Sequence, residues 1–279
     1  MAKNKLISPF LKWVGGKRQL IADLTKVLPL NVNKLEYFEP FIGGGALFFN
    51  LQPKSASIND ANTELINTYL VIKNQLDELL VALKKHENNS EYFYKIRGLD
   101  RESAFSKLSD VEKAARIIYL NKTCFNGLYR VNASGEFNSP FGSYSNPNIV
   151  NEPVLKAVSS YLNSANVKIT NLDYEKALSG VSKNSFVYFD PPYHPVSNTS
   201  NFTGYIAGGW GEDEQTRLRD LCRVLDANGV KFLLSNSNAN LIKSLYKDFR
   251  IVTVKATRSI NSVGAKRGEV DELLIKNYE

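Results

Sequence analysis

An α/β fold, built on a doubly wound and mostly parallel sheet of about seven strands, is predicted by three features of the sequence. Short apolar runs recur at Leu35–Phe38, Ser55–Ile58, Val167–Thr170, Phe186–Phe189, Val230–Ser235, Ile251–Thr257 and Val270–Lys276, each of strand length. Amphipathic stretches lie between several of them. Two of the runs end on glycine, proline and acidic residues, where an open α/β sheet places its ligands.

The elements follow in order. Within Lys17–Leu28 the positions Leu20, Ile21, Leu24, Val27 and Leu28 share one helical face. A second helix is expected over Glu212–Asn228, stopped by Gly229 just past its end. From about Ala61 to Lys122 the strand–helix rhythm gives way to a helical pattern, with a capping box expected at Ser109 and Glu112. Cys124–Asn148 is rich in Asn, Gly, Ser, Pro and aromatic residues, and its weak alternation suggests a hairpin or an ordered loop. Residues 61–149 thus read as an insertion into a core made of 1–60 and 150–279.

Composition narrows the function classes. The 279 residues are 43% hydrophobic and 23% charged, ordinary for a chain that buries a core. No apolar run approaches the ~20 residues that span a bilayer. The segment MAKNKLISPFLKW lacks the apolar core of a signal peptide, so a cytoplasmic location is expected. Two cysteines, Cys124 and Cys222, make neither a disulfide framework nor a spaced metal site, and read as buried thiols. The net charge of +7 suits a polyanionic partner. Much of that excess lies between Lys243 and Arg267, which hold seven Lys or Arg and one acid, Asp248. Such a stretch is either a nucleic-acid footprint or a solvated basic face.

Two motifs carry chemistry. Phe38-Glu39-Pro40-Phe41-Ile42-Gly43-Gly44-Gly45 follows a strand and opens a helix, and its glycines let the backbone pass close to a ligand. A glycine-rich loop alone is also a common turn. Asp60, at the end of the next strand, adds a carboxylate able to accept from both ribose hydroxyls of an adenosine-containing cofactor. No Gly-Lys-Ser/Thr follows, which excludes a phosphate loop of the Walker type. The second motif, Asp190-Pro191-Pro192-Tyr193, ends the apolar run Phe186–Phe189. Its prolines fix the backbone and leave carbonyls free, so Asp190 and the Pro191 carbonyl can both accept from one exocyclic amino group. Tyr193 adds a ring face for a base.

Taken in order, Phe10-Leu-Lys-Trp13-Val-Gly-Gly-Lys17, Phe38–Gly45, Asp60 and Asp190–Tyr193 resemble the Dam-type DNA adenine-N6 methyltransferases that carry an Asp-Pro-Pro-Tyr motif, in particular the GATC-specific group. The resemblance runs from about Ser8 to Tyr278. It implies a Rossmann-like methyltransferase sheet with a helical plus hairpin target-recognition domain inserted at 61–149, S-adenosylmethionine as cofactor and double-stranded DNA as partner. By the same resemblance Asp190, Pro191, Pro192 and Tyr193 are catalytic. Trp13, Lys17, Asp60 and Asp190 contact the cofactor, Phe38, Glu39, Phe41, Gly43 and Gly45 line its site, and Asp173 and Tyr174 hold its adenine. Without the family, Trp13 would read as core and Lys17 as a surface cation.

The stretch Cys124–Tyr144 is similar to the recognition hairpin of GATC enzymes. There Arg130 matches the reader of guanine, which suits the fit of a guanidinium to O6 and N7. Leu128 and Pro140 match readers of later bases, and Phe125 matches the aromatic that fills the stack. Asn126 and Tyr144 match DNA contacts, and Lys12 matches a lysine near the first base pair. Ser143 departs from the basic residue often found there.

The implied mechanism is methyl transfer to adenine N6 after the base is flipped out of the duplex. Asn198–Gly211, with four glycines, is a candidate lid over it. Neither His86 nor His194 has an evident catalytic role. A cytosine-N4 or RNA methyltransferase, and a DNA-binding regulator without catalysis, are the rivals. A monomer in a bacterial or phage-infected cell is expected, and the choice between restriction–modification and genome marking is open.

Overall fold

The computed structural model describes residues 3–13, 15–196, 210–257 and 269–279. Seven strands form one sheet: β1 (Glu36–Glu39), β2 (Ser55–Asn59), β3 (Asn166–Thr170), β4 (Ser185–Phe189), β5 (Lys231–Ser237), β6 (Arg250–Thr257) and β7 (Glu269–Lys276). Their spatial order is β3-β2-β1-β4-β5-β7-β6. The first five are parallel, while β7 runs antiparallel between β5 and β6. This is the Rossmann-like methyltransferase sheet expected from the sequence, with ends within two residues of the apolar runs.

Side-chain alternation along the buried strands makes two cores. Tyr37, Phe186, Tyr188, Leu233 and Leu274 face one of them. Phe38, Val187, Phe189, Phe232, Leu234, Leu273 and Ile275 face the other. The first core is covered by α1 (Ile21–Val27), α2 (Ala46–Leu51), α3 (Thr63–Asn74), α4 (Leu76–Leu83), α5 (Ser90–Gly98), α6 (Asp110–Thr123) and α7 (Glu152–Ser164). The second is covered by α8 (Glu212–Ala227) and α9 (Asn240–Leu245). Cys124 and Cys222 are free and buried, one in each core.

Local chemistry sets the helix ends. The helix expected over Lys17–Leu28 begins as a 3-10 turn, Lys17–Leu20, and ends at Val27, because Leu28 precedes a proline and is extended. α6 opens with the expected capping box, in which Ser109 Oγ accepts from Glu112 N–H and Glu112 accepts from Ser109 N–H. After α6 the chain forms an irregular arm held by two isolated antiparallel bridges, Cys124 with Phe141 and Val131 with Phe137. No described helix is long and apolar enough to cross a membrane.

Sequence order is broken between β1 and β4, the two central neighbours whose connections leave in opposite directions. A crevice opens at the carboxyl ends of strands at such a switch point. Glu39 ends β1 there, and Asp190 follows β4.

Candidate active site

The glycine loop after β1 turns sharply, with Gly43 at φ +46° and Gly45 at φ +69°. A Cβ on Gly43 would lie 2.9 Å from Trp13 Cδ1, and one on Gly45 would lie 2.8 Å from Tyr69 Oη, so the loop requires glycine at both. Asp60 pins this loop to the end of β2. Its Oδ2 accepts from Gly43 N–H at 3.0 Å and its Oδ1 from Asn62 N–H at 2.9 Å. An ionised carboxylate has about four lone-pair positions, so capacity for a ligand remains.

Beyond β4, Asp190 meets Lys17. The Lys17 Nζ lies 2.8 Å from Asp190 Oδ1, donates to the Gly15 carbonyl at 2.6 Å and stands 4.6 Å from the centre of the Tyr193 ring. Lys17 is 5% exposed, which overturns the family-free reading of a surface cation. Tyr193 Oη donates to Glu272 Oε2 at 2.7 Å.

Electrostatics single out these carboxylates. Burial pushes Asp190 up from 3.8 to about 6; Lys17 opposes the shift and Glu272 adds to it. Burial also raises Asp60, against hydrogen bonds from the backbone N–H groups of Asn62, Gly43 and Ala61. Glu39 is raised well above its ordinary value by burial, with the charges of Asp190 and Asp60 adding to the effect and a hydrogen bond from Tyr37 opposing it. Three carboxyl groups raised by burial and one buried lysine therefore lie close together, a pattern common at functional sites.

A buried polar network, not expected from the sequence, shapes the loop at Asp190–Tyr193. Gln215 Nε2 donates to the Pro192 carbonyl at 2.9 Å, and Asn236 Nδ2 donates to Gln215 Oε1 at 3.0 Å. Asn236 Oδ1 accepts from His194 N–H at 3.2 Å, and Ser237 Oγ donates to the His194 carbonyl at 2.6 Å. Gln215 and Asn236 are fully buried, and among the described residues no hydrogen bond takes up the Pro191 carbonyl. His194 contributes its backbone to this network.

The remaining predicted cofactor residues divide. Phe41 and Tyr174 pack at 5.2 Å between ring centres, and Trp210 closes the trio at 5.3 Å from Phe41 and 5.5 Å from Tyr174. The Trp210 Nε1 is buried with no hydrogen-bond partner among the described residues. Asp173 is exposed and paired with Arg217 at 2.9 Å. Phe38 is 3% exposed in the second core, so it shapes the floor beneath the site. Of the candidate lid Asn198–Gly211, residues 198–209 lie outside the described residues, as do 258–267 of the basic stretch.

The predicted DNA residues other than Lys12 lie on the arm after α6. Asn121, fully buried, accepts from Lys12 N–H at 2.9 Å and donates to the carbonyls of Lys12 at 2.7 Å and Gly127 at 3.1 Å. It thereby ties the 10–13 segment to the arm. Trp13 stacks on Tyr129 at 4.8 Å, and Lys12 Nζ stands 5.2 Å from the Tyr144 ring. Phe125 is 54% exposed despite its size, and Asn126 takes a left-handed φ of +57°. Leu128 is held by Ser139 Oγ, which donates to its carbonyl, and Pro140 accepts from Phe125 N–H at 2.9 Å. Arg130 donates from Nε to Asn138 Oδ1 at 2.6 Å and from Nη2 to the Asn138 carbonyl at 3.2 Å. Ser143, at φ +51°, is exposed.

Residues 13–260 match the family model described as D12 class N6 adenine-specific DNA methyltransferase. The chain belongs to that family. It is 46% identical over 281 residues to the type II methyltransferase M1.LlaDCHI of Lactococcus lactis subsp. cremoris, covering 100% of this chain and 98% of the relative. To the type II methyltransferase M.MjaIII of Methanocaldococcus jannaschii it is 44% identical over 290 residues, covering 98% and 99%. The DNA adenine methylase of Escherichia coli K12 is 33% identical over 279 residues, covering 98% and 95%. The crevice at the β1–β4 switch point is therefore the candidate active site of an adenine-specific DNA methyltransferase.

Proposed function

We propose that this methyltransferase moves a methyl group from S-adenosylmethionine to N6 of an adenine flipped out of duplex DNA, that its site is GATC, and that it acts as a cytoplasmic monomer. In this reading residues 1–60 and 150–279 form the catalytic domain and 61–149 the target-recognition domain. The carrying observation is the Asp190–Lys17 pair beside Tyr193 at the switch point, with Asp190 raised to about 6.

The residues present fit the cofactor. The carboxyl groups of Asp60 and Asp190 suit the polar and positively charged parts of the cofactor, and the Trp210 Nε1, unpartnered among the described residues and beside Phe41 and Tyr174, suits a flat heteroaromatic ring with acceptor nitrogens. Bound there, S-adenosylmethionine supplies a methyl group already activated by its sulfonium. Asp60 would hold the ribose, while Trp13, Lys17, Glu39 and Asp190 bound the crevice. Asp60→Ala is expected to weaken cofactor binding by about 1.5–3 kcal/mol, the scale of hydrogen bonds to a charged group. Calorimetric titration with an unchanged affinity would remove Asp60 from the site.

On the DNA side, Tyr193 offers its ring to the extrahelical base, and lost stacking and pairing cost a few kcal/mol. Ionised Asp190 accepts one N6 hydrogen and the Pro191 carbonyl the other, which draws the nitrogen lone pair out of conjugation. Gln215 occupies the Pro192 carbonyl and so fixes which proline carbonyl faces the base. Holding the nucleophile in attack geometry supplies much of the acceleration. Because the acceptor is the carboxylate, kcat/KM should fall about tenfold per unit as pH drops below about 6. Lys17 lowers the Asp190 value, so Lys17→Met should move this acid limb to higher pH. A pH–rate profile with no acid limb between about 5 and 7 would contradict the assignment.

The match of Asn126–Tyr144 to a recognition hairpin supports GATC, and relatives named type II methyltransferases support a role beside a restriction enzyme. A plasmid grown with this protein in a host without DNA methylation should become resistant to a nuclease blocked by adenine methylation in GATC. Unmodified GATC in plasmid that has nonetheless acquired N6-methyladenine would refute the site and leave the chemistry intact.

A further inference from the structure

Glu272 belongs to no motif of the sequence, yet it reaches the centre of the site. It lies on β7 opposite Ser237 of β5 and Val254 of β6, and this antiparallel insertion brings it beside the loop that follows β4. There its carboxylate adds negative charge next to Asp190, a placement that is unfavourable unless another contact offsets it. The offsetting contact is with Tyr193. Glu272 Oε2 accepts from Tyr193 Oη at 2.7 Å, a charge-assisted hydrogen bond at the short end of the range. The same ring has Lys17 Nζ 4.6 Å from its centre. Tyr193 is therefore restrained at its edge by β7 and over its face by the first turn after the glycine pair Gly15–Gly16.

A tyrosine on a loop would otherwise swing about its side-chain bonds, and each swing changes the plane it offers. Fixing that plane before the base arrives removes an ordering cost from the reactive complex. We propose that Glu272 is a positioning residue, which holds the Tyr193 ring through its hydroxyl in the plane against which the target adenine stacks. This rests on the reading of Tyr193 as the stacking platform.

The test compares Tyr193→Ala, Tyr193→Phe, Glu272→Ala, Glu272→Gln and the double variant Glu272→Ala/Tyr193→Phe in the full chain, by single-turnover methyl transfer to a duplex. Glu272→Ala and Tyr193→Phe should each slow transfer about tenfold, the loss of one charge-assisted hydrogen bond, with KM for the duplex little changed. The double variant should be no slower than the slower single one, because both remove the same bond. Glu272→Gln, which still offers a carbonyl oxygen to the hydroxyl, should recover most of the rate and guards against a loss that is only structural. Multiplying effects in the double variant, or a normal rate in Tyr193→Phe beside a slow Glu272→Ala, would overturn the positioning role. A slow Tyr193→Ala beside a normal Glu272→Ala would also overturn it while leaving the platform intact. A normal rate in Tyr193→Ala would instead remove the platform itself and the proposal with it.

Discussion

Removing the Asp190 carboxylate is expected to stop methyl transfer without unfolding the protein. The side chain stands at the end of a fully buried strand but is itself 20% exposed, and Phe186–Phe189 carry the packing behind it. Its proposed work is at the reacting nitrogen, where it competes with the purine ring for the N6 lone pair. Taking one preorganised polar group from a transition state slows catalysis by about a hundred- to a thousandfold. Asp190→Ala should therefore lose at least that much in single-turnover methylation of a duplex, with circular dichroism unchanged. The substitution also strips Lys17, 5% exposed, of its ion-pair partner, so Asp190→Asn belongs beside it as the variant that keeps shape and loses charge. Calorimetric titration with S-adenosylmethionine separates the two sides of the site. A large loss of rate with affinity retained places Asp190 at the base, and equal losses place it at the cofactor. A folded variant keeping more than a tenth of the activity would sink the catalytic role.

The scaffold of this site was legible in the sequence because strands announce themselves locally. Phe186–Phe189 is an unbroken apolar run bounded by polar residues and then two prolines, and it is β4. Ser109 and Glu112 predict a capping box that involves only near neighbours, and it forms. What depends on distant partners was not legible. Lys17 reads as a surface cation until β4 delivers Asp190 to within 2.8 Å of it. Gln215 lies one residue beyond a run of three acids on a helix, and Asn236 is one polar residue in a strand. Only the topology joins them into the network beneath Pro192 and His194. Asn121 shows nothing on α6 until both the 10–13 segment and the arm fold against it. Glu272 is the sharpest case, since its place beside Tyr193 follows from β7 entering the sheet antiparallel between β5 and β6. The weak alternation in Cys124–Asn148 was itself informative, because an arm held by two isolated bridges has little ladder to impose a period.

Arg130→Ala should relax discrimination at the guanine of GATC while sparing the rate on already substituted duplexes. The guanidinium is oriented before DNA arrives, because Nε and one Nη2 hydrogen are taken by the side chain and carbonyl of Asn138. Both Nη1 hydrogens and the second Nη2 hydrogen are left for O6 and N7 of a guanine in the major groove. Losing a bidentate contact of this kind costs about 1–3 kcal/mol at that base pair. The ratio of kcat/KM for GATC to that for a guanine-substituted duplex should therefore fall by about 5- to 150-fold, at one fixed salt concentration. A substitution at a phosphate-contacting lysine should instead weaken all duplexes about equally and flatten the salt dependence by about one unit of slope. If Arg130→Ala slows every duplex by one common factor, the arginine is an anchor and something else reads the guanine. If the parent protein ignores GATC but methylates a longer site beginning GAT, Arg130 keeps its role and the remainder of the site is read by other residues of the arm, with Leu128 and Pro140 the first to exchange.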